Sequence, residues 1–99
     1  MAHRLSPEAE AELDDIWYYI ATNSQYPEIA DRFIDSLTNS FYLLAKTPYI
    51  CRRRDEDLRP GMRSFPVGNF IILYRIDTRD VLILHVVRGS RDIESLFGL

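Results

Sequence analysis

A chain of 99 residues with 46% apolar and 27% charged side chains is the size and composition of one globular domain with one core. No apolar run approaches the ~20 residues of a membrane span, and the opening MAHRLSPEAE lacks the apolar centre of a secretory leader, so a cytoplasmic location is expected. A lone cysteine, Cys51, cannot close an internal disulfide, which fits a reducing compartment.

The net charge of −3 hides an asymmetry. Residues 1–50 carry three basic side chains against eight carboxylates; residues 51–99 carry nine basic side chains, all arginine, against seven. Arginine's planar fork suits carboxylate and phosphate better than lysine's point charge, so the second half is where an acidic partner would be met.

Taken in order, the chain begins with a short segment, Met1 to Leu5, that reads as a first edge strand. Ser6 is a good helix N-cap and Pro7 a good first helical residue, and the carboxylates that follow suit the positive end of a helix dipole. Ala9, Leu13, Ile16, Trp17 and Ile20 form one apolar stripe over roughly residues 7–22, with Trp17 expected as a core anchor. Asn23 to Tyr26 breaks this helix and Pro27 starts a second, whose stripe of Ala30, Phe33, Ile34, Leu37, Phe41 and Leu44 runs on to about Lys46. There Pro48 prevents continuation. The short connection makes the pair an antiparallel helical hairpin.

Tyr49 to Pro60 reads as a loop in which Arg52, Arg53 and Arg54 precede Asp55, Glu56 and Asp57. Beyond it, Met62 to Pro66, Phe70 to Ile76 and Val81 to Val87 are strand-like runs rich in β-branched and aromatic residues. Gly68-Asn69 supplies one turn; Asp77-Thr78-Arg79-Asp80 supplies the next, with a four-residue or two-residue loop. Phe70, Ile72, Tyr74 and Ile76 line one face of the middle run and Ile71 and Leu73 the other, so the sheet requires cover on both sides. Gly89 ends the last strand, and Asp92 to Phe97 forms at most one helical turn. The order β-α-α-β-β-β is α+β, a helical hairpin packed on an antiparallel sheet, with residues 1–99 as one domain. The uncovered face is expected to be concave and ringed by Arg75, Arg88 and Arg91.

Catalytic and cofactor motifs are absent: no phosphate-binding loop, no dinucleotide glycine pattern, no Cys-x-x-Cys and no His-Glu-x-x-His. His3 and His85 are the only histidines, far apart in sequence, and His85 in mid-strand reads as a partly buried packing residue. No cofactor and no metal are expected.

LSPEAEAELDDIWYYIA, then ADRFIDSL, LRPGMRSFPVG, LYRI and VVRGSRD, in this order over nearly the whole chain, resemble the ParE branch of the ParE/RelE toxin superfamily. The resemblance implies a toxin of a bacterial type II toxin–antitoxin pair, with the helical-hairpin fold read above. It implies a ParD-like antitoxin encoded nearby that fills an exposed groove, and DNA gyrase as the target. Neither a membrane nor sequence-specific nucleic-acid binding by the toxin alone is implied. The ribonuclease branch relies on a basic residue in the penultimate strand, lysines before it and a tyrosine near the C-terminus. Here the strand position is Ile71, Ser64-Phe65-Pro66-Val67 holds no lysine, and the tail position is Phe97, which cannot transfer a proton. Only Arg91 matches that branch, so a ribosome-dependent mRNA endoribonuclease is the alternative and a toxin acting by binding is the reading. Gly89 permits a sharp exit from the last strand with Arg88 and Arg91 flanking it and an apolar tail after them, so Arg88, Arg91 and Phe97 are expected to face the target. The antitoxin would meet Arg52, Arg53, Arg54, Arg63, Ile71, Leu73 and Arg75.

Overall fold

The computed structural model describes residues 2–50, 52–53 and 61–89, the side chains of residues 52 and 53 excepted. The elements are β1 (Ala2–Leu5), α1 (Pro7–Ser24), α2 (Pro27–Lys46), β2 (Arg52–Arg53), β3 (Met62–Val67), β4 (Phe70–Asp77) and β5 (Asp80–Val87). They form one sheet in the order β1-β5-β4-β3-β2, with the helical hairpin on one face.

Both helices start and stop where the local chemistry requires. Ser6 stands in extended backbone at the head of α1, and its hydroxyl accepts the Ala9 N–H at 3.0 Å while donating to the Leu84 carbonyl at 2.7 Å. One residue thus caps the helix and ties it to the last strand. The helix ends at Gln25, whose φ of 64° is left-handed and whose N–H reaches the Ala21 carbonyl. Two residues later Pro27 opens α2. This second helix ends at Lys46, and the Thr47 N–H and hydroxyl both close on the Leu43 carbonyl.

The core on the helix side joins Ala9 and Ile16 of α1, Leu37, Phe41 and Leu44 of α2, and Ile72, Tyr74, Val81, Ile83 and Val86 of the sheet. Phe33 and Phe70 pack at its edge with ring centroids 5.2 Å apart. The buried Tyr74 phenol donates to the Pro48 carbonyl at 2.7 Å, which pins the chain leaving α2 to the middle of the sheet. A second cluster lies on the opposite face: Met62, Leu73 and Val87 are buried, with Ile71 and Leu84 half-buried against them.

Three expectations are corrected and one irregularity is added. The sheet is mixed, because β1 pairs with β5 in parallel; the remaining pairs are antiparallel. Part of the expected 49–60 loop is strand, since Arg52 and Arg53 pair with Ser64 and Arg63. A two-residue segment has too little pattern to show in sequence. Trp17 is not a core anchor: it is half-buried, and its indole N–H donates to Asp31 at 2.8 Å across the helix pair. Lastly, β5 is irregular. Leu73 pairs with His85 but Tyr74 with Ile83, which leaves Leu84 without an opposite residue. That is a β-bulge. The hairpin loop itself is the two-residue form, Asp77 opposite Asp80, with Thr78 at a φ of 33°.

Candidate functional site

At the bulge the strand backbone is displaced, and a carboxylate from the first helix fills the gap. Glu12 Oε1 accepts the Val86 N–H at 3.0 Å, and Oε2 lies 3.0 Å from His85 Nδ1, which donates to it. β1 pairs with β5 only as far as Ile83, so residues beyond it would otherwise expose backbone donors along the sheet edge. Glu12 supplies the missing acceptor, and His85 is a partly buried structural residue as its mid-strand position implied.

Two turns further along α1, Tyr19 meets Arg88. The guanidinium carbon stands 4.6 Å from the ring centroid, and Nη2 donates to the phenol oxygen at 3.1 Å. Arg88 is exposed and Tyr19 is 45% exposed. Immediately afterwards Gly89 takes a φ of 74°, which a residue with a side chain adopts only under strain, so the strand ends there.

The expected site residues separate into groups. Arg88 lies on the helix side with Tyr19, not on the rim of the opposite face with Arg75. Ile71, Leu73 and Arg75 do share that opposite face. Arg75 is exposed and Ile71 half-buried, but Leu73 is fully buried between Met62 and Val87, so it is no part of a free surface. Arg63 pairs with Tyr74 and therefore belongs to the helix side, where its guanidinium stands 4.9 Å from the Tyr49 ring centroid. Arg52 and Arg53 run beside Ser64 and Arg63 as backbone neighbours. Arg54, Arg91 and Phe97 lie outside the described residues, as does Cys51. Sequence reading missed Glu12 and Tyr19. Each looked like an ordinary residue of an acidic, tyrosine-rich helix, and each acquires a role only from a partner about seventy positions away.

Among the described residues the exposed aromatics are Tyr18, Tyr19, Tyr26, Tyr42 and Tyr49, on the helices, between them and just after α2. An open cleft of about 460 Å³ beside β1 is lined by Ala2, His3, Tyr42, Ala45 and Lys46, with the His3 ring edge-on to Tyr42 at 4.8 Å. Among the described residues no group of His, Cys, Asp and Glu could hold a metal ion, and no helix is long and apolar enough to cross a membrane.

The architecture is thus a two-helix hairpin laid on one face of a small mixed sheet, with arginines along the later strands. The chain superposes on a chain of the chromosomal ParDE toxin–antitoxin system from P. aeruginosa with a TM-score of 0.78, covering 91% of this chain and 97% of that one at 21% identity. Residues 4–93 match the family model of the ParE toxin of type II toxin–antitoxin systems. Two toxins of Caulobacter vibrioides are similar along most of their length. Toxin ParE1 is 32% identical over 97% of both chains, and toxin ParE3 is 30% identical over 88% of this chain and 85% of its own. The chain belongs to the ParE toxin family of type II toxin–antitoxin systems.

Proposed function

We propose that this chain arrests growth by poisoning DNA gyrase and is held inactive by a ParD-like antitoxin made alongside it. Family membership carries the reading. The side chains agree with action by binding: Ile71 stands in β4 where a ribonuclease of the wider superfamily would need a basic residue, and β3 contains no lysine. A ribonuclease would need proton transfer and charge stabilisation at an RNA phosphate, and the basic strand residue and lysines that the wider superfamily uses for this are replaced here.

The target-facing residues in this reading are Arg88 at the end of β5 and, after it, Arg91 and Phe97. The antitoxin approaches the basic later strands through Arg75 and Ile71 on the face away from the helices, Arg63 on β3, and Arg52 to Arg54 on the approach to it. Its carboxylates meet those arginines, and its apolar side chains add to the half-buried Ile71 and Leu84. Leu73 supports this surface from beneath.

The test is induced expression without antitoxin. Growth arrest with a DNA-damage response and trapped gyrase–DNA cleavage complexes, relieved by co-expressed antitoxin, is the expected result. Rapid messenger cleavage at ribosomes, with intact chromosomal DNA, would replace this reading with the ribonuclease one.

A further inference from the structure

The geometry points to Tyr19 of α1 as a positioning residue for the target-facing arginine, so that an arginine at the end of the last strand is held in place by the first helix. This rests on the reading of Arg88 given above and extends it to a residue on an element otherwise occupied with the core.

Three observations converge. First, Arg88 makes two different contacts with one side chain: its guanidinium carbon stands over the Tyr19 ring, and its Nη2 donates to the phenol oxygen. Together they hold the guanidinium at two points, where a single contact would leave it freer to rotate. Second, Tyr19 and Arg88 are held in register by a separate clamp. Glu12 takes the Val86 N–H and His85 Nδ1. From Glu12 to Tyr19 is about 10 Å along a helix. From His85 to Arg88 is about 10 Å along a strand. The two elements therefore run side by side for equal lengths between the clamp and the pair. Third, both members are accessible: Arg88 is exposed, and nearly half of the Tyr19 side chain remains open, although it sits on the flank of a helix whose other face is core.

A long arginine side chain normally loses much rotamer freedom when it binds. Held on Tyr19, it has lost that freedom before the target arrives. Tyrosine and arginine are the residue types that most often dominate protein interfaces, and they do so when held rigid.

The experiment titrates induced protein against growth, and purified protein against gyrase cleavage-complex formation, for Tyr19→Ala, Tyr19→Phe, Tyr19→Trp, Arg88→Ala and the Tyr19→Ala/Arg88→Ala double variant, with a thermal melt of each. Tyr19→Ala is expected to raise the dose for half-maximal arrest about fivefold, roughly what an exposed cation–π contact plus one hydrogen bond represents. Tyr19→Phe, which keeps the ring, should lose about half of that on a logarithmic scale. Tyr19→Trp should retain most of the potency. In the Arg88→Ala background, Tyr19→Ala should add nothing, because its role is exerted through Arg88. Full potency in Arg88→Ala would remove the reading of Arg88 and the inference with it. Reduced potency in Arg88→Ala alongside unchanged potency in Tyr19→Ala would leave that reading standing and overturn the inference alone. Losses that simply add in the double variant, or that track the melting temperature across the series, would also overturn it by showing a general stabilising role.

Discussion

On the helix side of the sheet, Ile72, Tyr74, Val81, Ile83 and Val86 meet both helices in one continuous core, whereas the buried residues of the opposite face, among those described, are Met62, Leu73 and Val87 with the small polar Ser64. On the larger face the apolar side chains already have complementary neighbours in the two helices. The smaller face is edged by half-buried Ile71 and Leu84 and by exposed Arg75. The two sides of the same strands thus carry apolar clusters of different extent, an arrangement that alternating side chains make possible.

Paired truncations test the division most severely. Phe41→Ala on the helix side should cost about 3–5 kcal/mol, as for other fully buried aromatics, whereas Leu73→Ala on the opposite face should fall near ~2–3 kcal/mol, since its cavity opens in a smaller cluster. Chemical denaturation of both variants checks the ranking. Equal losses would mean that the second cluster is as continuous as the first.

Much of this division was legible in advance. The bounds of α2 could be read from Pro27 and Pro48, and the stripe from Ala30 to Leu44 is the buried one. The split of β4 into Ile72 and Tyr74 against Ile71 and Leu73 follows from period-two alternation and is observed. What could not be read depends on pairs remote in sequence. Trp17 fits the apolar stripe by spacing, yet its indole N–H needs an acceptor, and Asp31 on the neighbouring helix draws it to the seam. The bulge at Leu84 leaves no clear local mark, because Val81 to Val87 is apolar on both alternations apart from His85. Arg88 was picked out for its place at the strand end, but the face it serves was assigned wrongly, since the bulge at Leu84 shifts the alternation and carries Arg88 to the helix side beside Tyr19.

A smaller effect sharpens the comparison at the seam between helix and sheet edge. Glu12→Ala leaves the Val86 N–H without its acceptor and should cost about 1–2 kcal/mol. Glu12→Gln keeps a carbonyl oxygen and should recover most of the loss, with amide exchange at Val86 still protected. If the alanine variant melted at the wild-type temperature with Val86 unchanged in exchange, the helix would not be clamped to the strand through this carboxylate.

The smallest expected effect concerns the edge where β1 crosses the hairpin turn. Asp77 and Asp80 face each other across the two-residue loop, and like charges directly opposite repel. Arg4 spans them, with Nη2 3.1 Å from Asp77 Oδ2 and Nε 3.2 Å from Asp80 Oδ2. Its side chain is 56% exposed, so water and salt screen both attractions, and Arg4→Ala should lose no more than about 0.5–1 kcal/mol. The sign of the salt dependence identifies the cause. In wild-type protein added salt weakens two attractions and one repulsion; in the alanine variant the repulsion alone remains to be screened. The difference in melting temperature between the two should therefore shrink as salt rises from about 0.05 M to about 1 M, where the screening length falls to ~3 Å. A gap that persisted at high salt would assign the contribution of Arg4 to its aliphatic stem packed along β5 rather than to its charge.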